Sequence, residues 1–224
     1  MVIHTKKQVK TKTIHKRMNL PQSLRDKIDE FWKKQVKVNP NLFNGEVWNV
    51  TKMEENKDNI LLTIEKTDYA HYLYDERHGI EEKYACHNLA GGTYIVTKDG
   101  YAVVGELDDT TSYPRMMQVS GGGIDEKYDI VNGEFDLIKT AKRELKEELG
   151  LIVNRDEIKY IGDIFLGIPI ADVYYLEKDI TLKDLKLQKE EVDEVSYMTK
   201  DEILNLINNE NFTKSHGKIL KKYF

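Results

Sequence analysis

The stretch "RELKEELGL" at 143–151 concentrates charge in a way that solubility alone does not explain. At 3.6 residues per turn, Glu144, Glu147 and Glu148 stand at i, i+3 and i+4 and share one helical face. Like charges at that spacing repel, and a helix serving only solubility would interleave lysines there. Something positive is therefore expected against the face. Clustered carboxylates on a rigid helix suit Mg²⁺ or Mn²⁺, which take hard oxygen ligands and keep several waters. Such an ion neutralises anionic oxygens, binds a leaving group and acidifies a water.

Other segments offer groups to that chemistry. "SGGGIDE" (120–126) is a glycine-rich turn, where a backbone without Cβ atoms can approach an ion or a phosphate. "KEEVDEV" (189–195) adds an acidic loop late in the chain. His71 lies among Tyr69, Tyr72 and Tyr74, rings that can stack on a base or a sugar, or simply pack together. His87 reads as structural, and Cys86 as a buried or half-buried thiol.

The elements that must position these groups follow from pattern. A basic arm runs to about Leu20 and reads as a solvated tail or an edge strand. Pro21 opens a helix with an apolar stripe through Leu24, Ile28, Phe31, Trp32 and Val36, which "NPN" (39–41) ends. Two strands flank the turn "ENKDN", and a short helix follows, capped by Thr67 or Asp68. "GGTYIVTKDGYAVVGEL" predicts a hairpin, and Asp136 to Leu149 a helix stopped by Gly150. Two more strands, a loop, a strand and a final amphipathic helix complete the chain. Residues 1–85 are expected to form an N-terminal extension of arm, helix, β-hairpin and short helix, and 86–224 a second unit. Strands and helices without a βαβ rhythm predict an α+β fold, helices sandwiching a mixed sheet.

Composition narrows the class. The chain has 224 residues, 40% hydrophobic and 33% charged, with net charge −5. No 18-residue apolar run predicts a membrane span. The first 25 residues hold seven Lys/Arg and no acid, so the remainder is strongly acidic, which argues against nucleic acid as the main partner. One cysteine and no apolar leader at the N-terminus predict a cytoplasmic protein.

"RELKEELGL" also resembles the core of the Nudix hydrolase signature, Arg-Glu-apolar-x-Glu-Glu-x-Gly-apolar, and the resemblance extends over about residues 88–205. It implies the Nudix α/β/α sandwich. It also implies Glu147 and Glu148 as metal ligands, and Glu144 as a further ligand or the group polarising the attacking water. Arg143 would orient a glutamate, and the Gly121 carbonyl would bind metal. The family often recruits one more acid from a late loop, and in "KEEVDEV" Glu191 is the first choice as a base or extra ligand, with Glu190 and Glu194 as rivals. The spacing departs from the family's, which places five residues between glycine and first glutamate, and seven from there to the arginine. Counted from Gly122 to Glu134 this chain has eleven, and from Glu134 to Arg143 eight. An insertion including "KYDIVN" accounts for the surplus and leaves Glu134, Asp136 and Glu126 as rivals for the first acid.

The resemblance implies a nucleoside diphosphate linked to a group X as substrate, and often a homodimer. "TTSYPRMMQV" lacks the motif of the coenzyme A branch, and Pro169, nineteen beyond Gly150, misses the usual ADP-ribose proline position. "LFNGEVWNV" and "LLTIEKTDYAHYL" resemble the extension in the branch of the eukaryotic UDP-glucose pyrophosphatase, which favours a nucleotide sugar of the UDP-glucose or ADP-ribose type. Tyr69 and Tyr72 would then contact substrate. The alternatives are hydrolysis of nucleoside triphosphates or RNA caps, suggested by the basic arm, and a non-catalytic metabolite-binding regulator. Such regulators lose the helix carboxylates, which this chain keeps. Isopentenyl diphosphate isomerisation needs a cysteine elsewhere than Cys86.

Overall fold

Alternate residues of the strand Leu89–Val96 enter two different cores, Leu89 and Ile95 one, Tyr94 the other. That division organises the molecule. The computed structural model describes residues 2–4, 7–165 and 170–223; Pro169 lies outside them. Its strands are β1 (Val2–His4), β2 (Gln8–Arg17), β3 (Glu46–Glu55), β4 (Asn59–Asp68), β5 (Leu89–Val96), β6 (Ala102–Leu107), β7 (Met117–Gln118), β8 (Ser120–Gly123), β9 (Ile130–Val131), β10 (Glu134–Phe135), β11 (Ile158–Phe165), β12 (Ile170–Glu177) and β13 (Val192–Met198). Its helices are α1 (Gln22–Val38), α2 (Tyr69–His78), α3 (Leu137–Leu149), α4 (Lys200–Asn208) and α5 (Lys214–Tyr223).

The larger sheet runs β1-β11-β12-β5-β6-β13, with β8 also on β5 and β7 also on β6. β12 and β5 are parallel and the other pairs antiparallel, so the sheet is mixed as expected. β5 and β6 pair at Val96 and Ala102, then separate, and β8 and β7 fill the gap between them. Leu145, Leu149 and Ala141 of α3 pack on one face with Leu89, Ile95 and Val103. Ile203 of α4 and Leu220 of α5 pack on the other with Tyr94, Ala102 and Val104. The result is the expected α/β/α sandwich.

α3 has a sequence-encoded start and stop. The Asp136 carboxylate accepts from the Ile138 and Lys139 amides, and Gly150 takes the left-handed conformation (φ 68°) that a side chain disfavours. A helix after α4 was not expected. α5 contains Gly217 in its middle, where a Cβ would press within 3.3 Å of Ile207 on α4; close packing of the two helices thus overrides glycine's poor helix propensity.

Toward the N-terminus, β2, β4 and β3 form a three-stranded sheet with α1 and α2 beside it. The basic arm is an edge strand, parallel to β4. Two of its charges are engaged: Lys7 with Glu55, and Arg17, together with Arg25 of α1, with the buried Asp68. Asp68 also caps α2 by accepting from the His71 amide. The Trp48 ring packs edge-on to Phe135, 5.2 Å away, so this sheet shares the α3-side core.

Candidate active site

Glu144 and Glu148 are one turn apart on α3, both buried and both directed at the glycine turn. A Cβ on Gly122 would lie 2.4 Å from Glu144 Oε1, so that residue is glycine to leave the carboxylate its space. The Gly121 amide donates to Glu148 Oε2 at 3.2 Å, and the Gln118 side-chain amide approaches Oε1 at 3.4 Å. Glu147 lies at the edge of this face, its side chain 46% exposed. The reason is angular: at about 100° per residue, i+4 returns to within about 40° of Glu144 and i+3 falls about 60° to the other side.

Arg143 binds this row together. It contacts Glu144 at 2.7 Å and Glu147 at 2.9 Å, and donates to the Gly123 carbonyl at 2.9 Å. It also grips Asp129 through two nitrogens, at 3.0 and 3.1 Å. Burial opposes the Arg143 charge, but these acids outweigh it and raise its pKa. Arg143 thus contacts two glutamates and an aspartate. Asp129, fully buried, is the acid that sequence reasoning missed. Of its rivals, Glu134 is exposed, Asp136 caps α3 and pairs with Arg155, and Glu126 pairs with Lys66. The signal was present: five residues separate Gly123 from Asp129, the family's spacing. The insertion then falls after this acid, where β9 and β10 form a small hairpin.

The late-loop acid faces the cleft. Glu191 lines the same cleft as the glycine turn. Burial, then the charge of Glu147, raise its pKa against the pull of Arg143. Burial pushes Glu144 up to about 7, with Arg143 opposing and Glu191 and Glu147 adding to the rise. Burial, then Glu144 and Glu191, push Glu148 well above the usual carboxylate range. Of the rivals, Glu190 lines the cleft as well, while Glu194 is exposed on β13.

Buried acids that repel one another favour either protons or a cation. Among the described residues no three acidic, His or Cys side chains already converge on one ion position. The donor chemistry at the turn suits a hard divalent cation: carboxylate oxygens of Glu144 and Glu148, beside a glycine backbone that a side chain would obstruct.

The cleft holds about 710 Å³, within the range of small-molecule sites. Its floor includes Asn88, just before β5, and Ala90, Gly92 and Tyr94, alternate positions on one face of β5. Tyr69 and Tyr72 form part of the wall, their rings 5.6 Å apart. The Tyr69 hydroxyl bonds Ser112 Oγ at 2.5 Å, and Asn39 donates to the Thr110 and Thr111 carbonyls, tying the loop after β6 to the N-terminal helices. His71 is structural: its Nε2 donates to the Tyr84 carbonyl, so its Nδ1 accepts from the Thr67 hydroxyl. Cys86 is buried, which raises its thiol pKa. No helix among the described residues is long and apolar enough to cross a membrane.

A carboxylate-bearing helix beneath a glycine turn, on a mixed sheet between helices, defines the Nudix class, and the chain belongs to that family: the NUDIX domain model matches residues 98–223. It is similar to a Nudix hydrolase of Listeria monocytogenes and to one of Listeria innocua, each 30% identical over 86 residues, 38% of this chain and 47% of the relative. The chain therefore spans about half the length of the curated relatives it matches. In fold it is similar to DR0079 from Deinococcus radiodurans, with TM-score 0.53 and 12% identity over 80% of this chain and 98% of that one. The MutT protein of Methanosarcina mazei gives TM-score 0.46 and 17% identity, over 60% and 91%.

Proposed function

We propose that this protein is a metal-dependent pyrophosphohydrolase that cleaves a nucleoside diphosphate linked to a sugar, of the UDP-glucose or ADP-ribose type. The products are a nucleoside monophosphate and a sugar phosphate. The observation that carries the reading is the pair of buried carboxylates Glu144 and Glu148, which repel one another and the half-buried Glu191, beside the glycine turn of an open cleft.

Glu144, Glu148 and the Gly121 carbonyl would hold Mg²⁺ or Mn²⁺, with Glu147 at the rim and Glu191 as base or further ligand. The metal supplies charge neutralisation at the phosphates and a more acidic water. Arg143 holds Glu144 and Glu147 in place and is itself held by Asp129. Glu191, its pKa raised chiefly by burial, is a stronger base than an ordinary carboxylate and would take the proton of the attacking water. Tyr69 and Tyr72 offer ring faces to the base or the sugar. We treat residues 1–85 as an extension that contributes this wall to the 86–224 unit. A nucleotide sugar is a small soluble substrate, and we take the cytoplasm as the place of action and a homodimer as the working assembly.

The test is product analysis with Mg²⁺ and, separately, UDP-glucose, ADP-ribose, ATP and a capped RNA. A monophosphate from a nucleotide sugar, lost by about a hundredfold in Glu148→Gln, supports the reading. Turnover confined to ATP or capped RNA assigns the other substrate class. Nucleotide binding without any cleavage leaves a metabolite-binding regulator.

A further inference from the structure

The floor of the cleft has two ends with different chemistry. From Asn88 to Tyr94 it follows β5 for about 20 Å, at about 3.3 Å per residue. Asn88 bridges to Asn49 of the N-terminal sheet. Tyr94 belongs to the hydrophobic cluster of α4 and α5, together with Val119 and Leu220. The glycine turn pairs with the middle of this floor, Gly121 with Gly92 and Gly123 with Ala90. A diphosphate held at the turn would thus send one substituent toward each end.

At the Tyr94 end two polar atoms are buried without a hydrogen-bond partner, His216 Nδ1 and Thr213 Oγ1. Both residues line the cleft, as do Tyr94, Val119 and Leu220. His216 and Leu220 are four residues apart on α5 and so share a face. Burying a polar atom without a partner is costly, so two in one wall call for a ligand that pairs them. Burial pulls the His216 imidazole down to about 4, which leaves it uncharged at neutral pH and without a cation to offer phosphate. A neutral imidazole nitrogen beside a hydroxyl matches a donor and an acceptor side by side. With an aromatic ring and two aliphatic side chains as walls, the complementary ligand is flat, uncharged and edged with hydrogen-bonding groups.

We propose that His216 and Thr213 recognise the edge of the nucleobase, which places the base against α5 and the group X toward Asn88. The assignment rests on the nucleoside-diphosphate reading of the cleft. It makes the C-terminal helix the element that selects the base.

Calorimetric titration of the full chain with UMP, AMP and ribose 5-phosphate tests it. His216→Phe and Thr213→Val should each weaken the tighter-binding nucleotide about tenfold and leave ribose 5-phosphate within about twofold, with Thr213→Ser restoring binding. Nucleotide affinity unchanged in both variants overturns the proposal. So does an equal loss for ribose 5-phosphate, or wild-type protein that binds ribose 5-phosphate as tightly as the nucleotides. If His216→Phe does not fold, judged by circular dichroism, the Thr213 pair decides. Nucleotide binding that behaves as stated, without turnover of any nucleotide sugar, overturns the proposed reaction and leaves the base site standing.

Discussion

Asp129 and Arg143 form a two-point ion pair, 3.0 and 3.1 Å, that ties the loop after the glycine turn to the helix carrying the acids. The Asp129 side chain is fully buried and that of Arg143 only 15% exposed. Removing one partner of such a pair strands the other and typically costs about 3–5 kcal/mol. Asp129→Asn is expected to lose stability on that scale, and activity by about tenfold or more as Arg143 releases Glu144. Glu134→Gln, on the exposed hairpin, should match wild type within about twofold. Urea melts and steady-state rates on both variants check this; equal sensitivity of the two would return the first-acid role to Glu134.

Glu148→Gln separates chemistry from folding. It removes a buried charge that Glu144 and Glu191 repel. The metal-free variant should therefore melt higher than metal-free wild type at pH 8, while its kcat falls about a hundredfold or more. A variant that loses both stability and activity would mean that Glu148 is held mainly by the Gly121 and Gln118 amides.

The same acids set a pH dependence. Their folded pKa values are raised, Glu144 to about 7, so the folded state binds more protons than the unfolded chain above the ordinary carboxylate range. Their contribution is then fully present below the unfolded value, about 4.3, and declines as pH rises toward about 7. Metal-free protein should lose Tm across that window, and added Mg²⁺ should raise Tm more at pH 8 than at pH 5. Scanning calorimetry with and without chelator reads both effects. A Tm rising with pH in the absence of metal would show that other groups dominate.

Two glycines should fail differently. At Gly122 an added Cβ meets the end of the Glu144 side chain, which can swing away. Gly122→Ala should therefore keep its fold within about 1 kcal/mol but lose activity, because the displaced carboxylate leaves the site. At Gly91 the Cβ would sit 2.9 Å from the Leu137 backbone carbonyl, which cannot yield without moving α3. Gly91→Ala should cost stability first, by about 1–3 kcal/mol. Melting curves and rates for the pair distinguish the cases.

Tyr69 offers a test of the wall. Tyr69→Ala removes a ring from the cleft and the hydroxyl that bonds Ser112. KM for the preferred nucleotide sugar should rise about tenfold, with kcat within about threefold, the pattern of lost uniform binding. A fall in kcat at constant KM would place the ring nearer the reacting phosphates.

The legible parts of the sequence were those with local causes. Asp136 and Gly150 bracket α3 because a cap and a left-handed residue act within a few positions. Asp68 marked α2 for the same reason. Glu144 and Glu148 were legible because helical spacing is regular, whereas the rim position of Glu147 depends on where the sheet lies. Asp129 escaped because its partner is fourteen residues away and the spacing had been counted from Gly122 and Glu134. α5 escaped because Gly217 argues locally against a helix and is explained only by Ile207 on α4. With α5 went His216 and Thr213, whose importance lies in atoms left unpaired by the fold.

The strand order has a kinetic consequence. β3 and β4 are joined by a short turn and can pair early, whereas β5 must wait for β12, some eighty residues later, and β13 closes on β6 later still. Glu191 immediately precedes β13, so it reaches Glu144 and Glu148 only when that last strand docks. During refolding, recovery of catalysis should lag behind recovery of the Trp48 fluorescence signal from the core shared with the N-terminal sheet. Recovery of the proposed turnover would thus time the docking of β13, the final step of assembly.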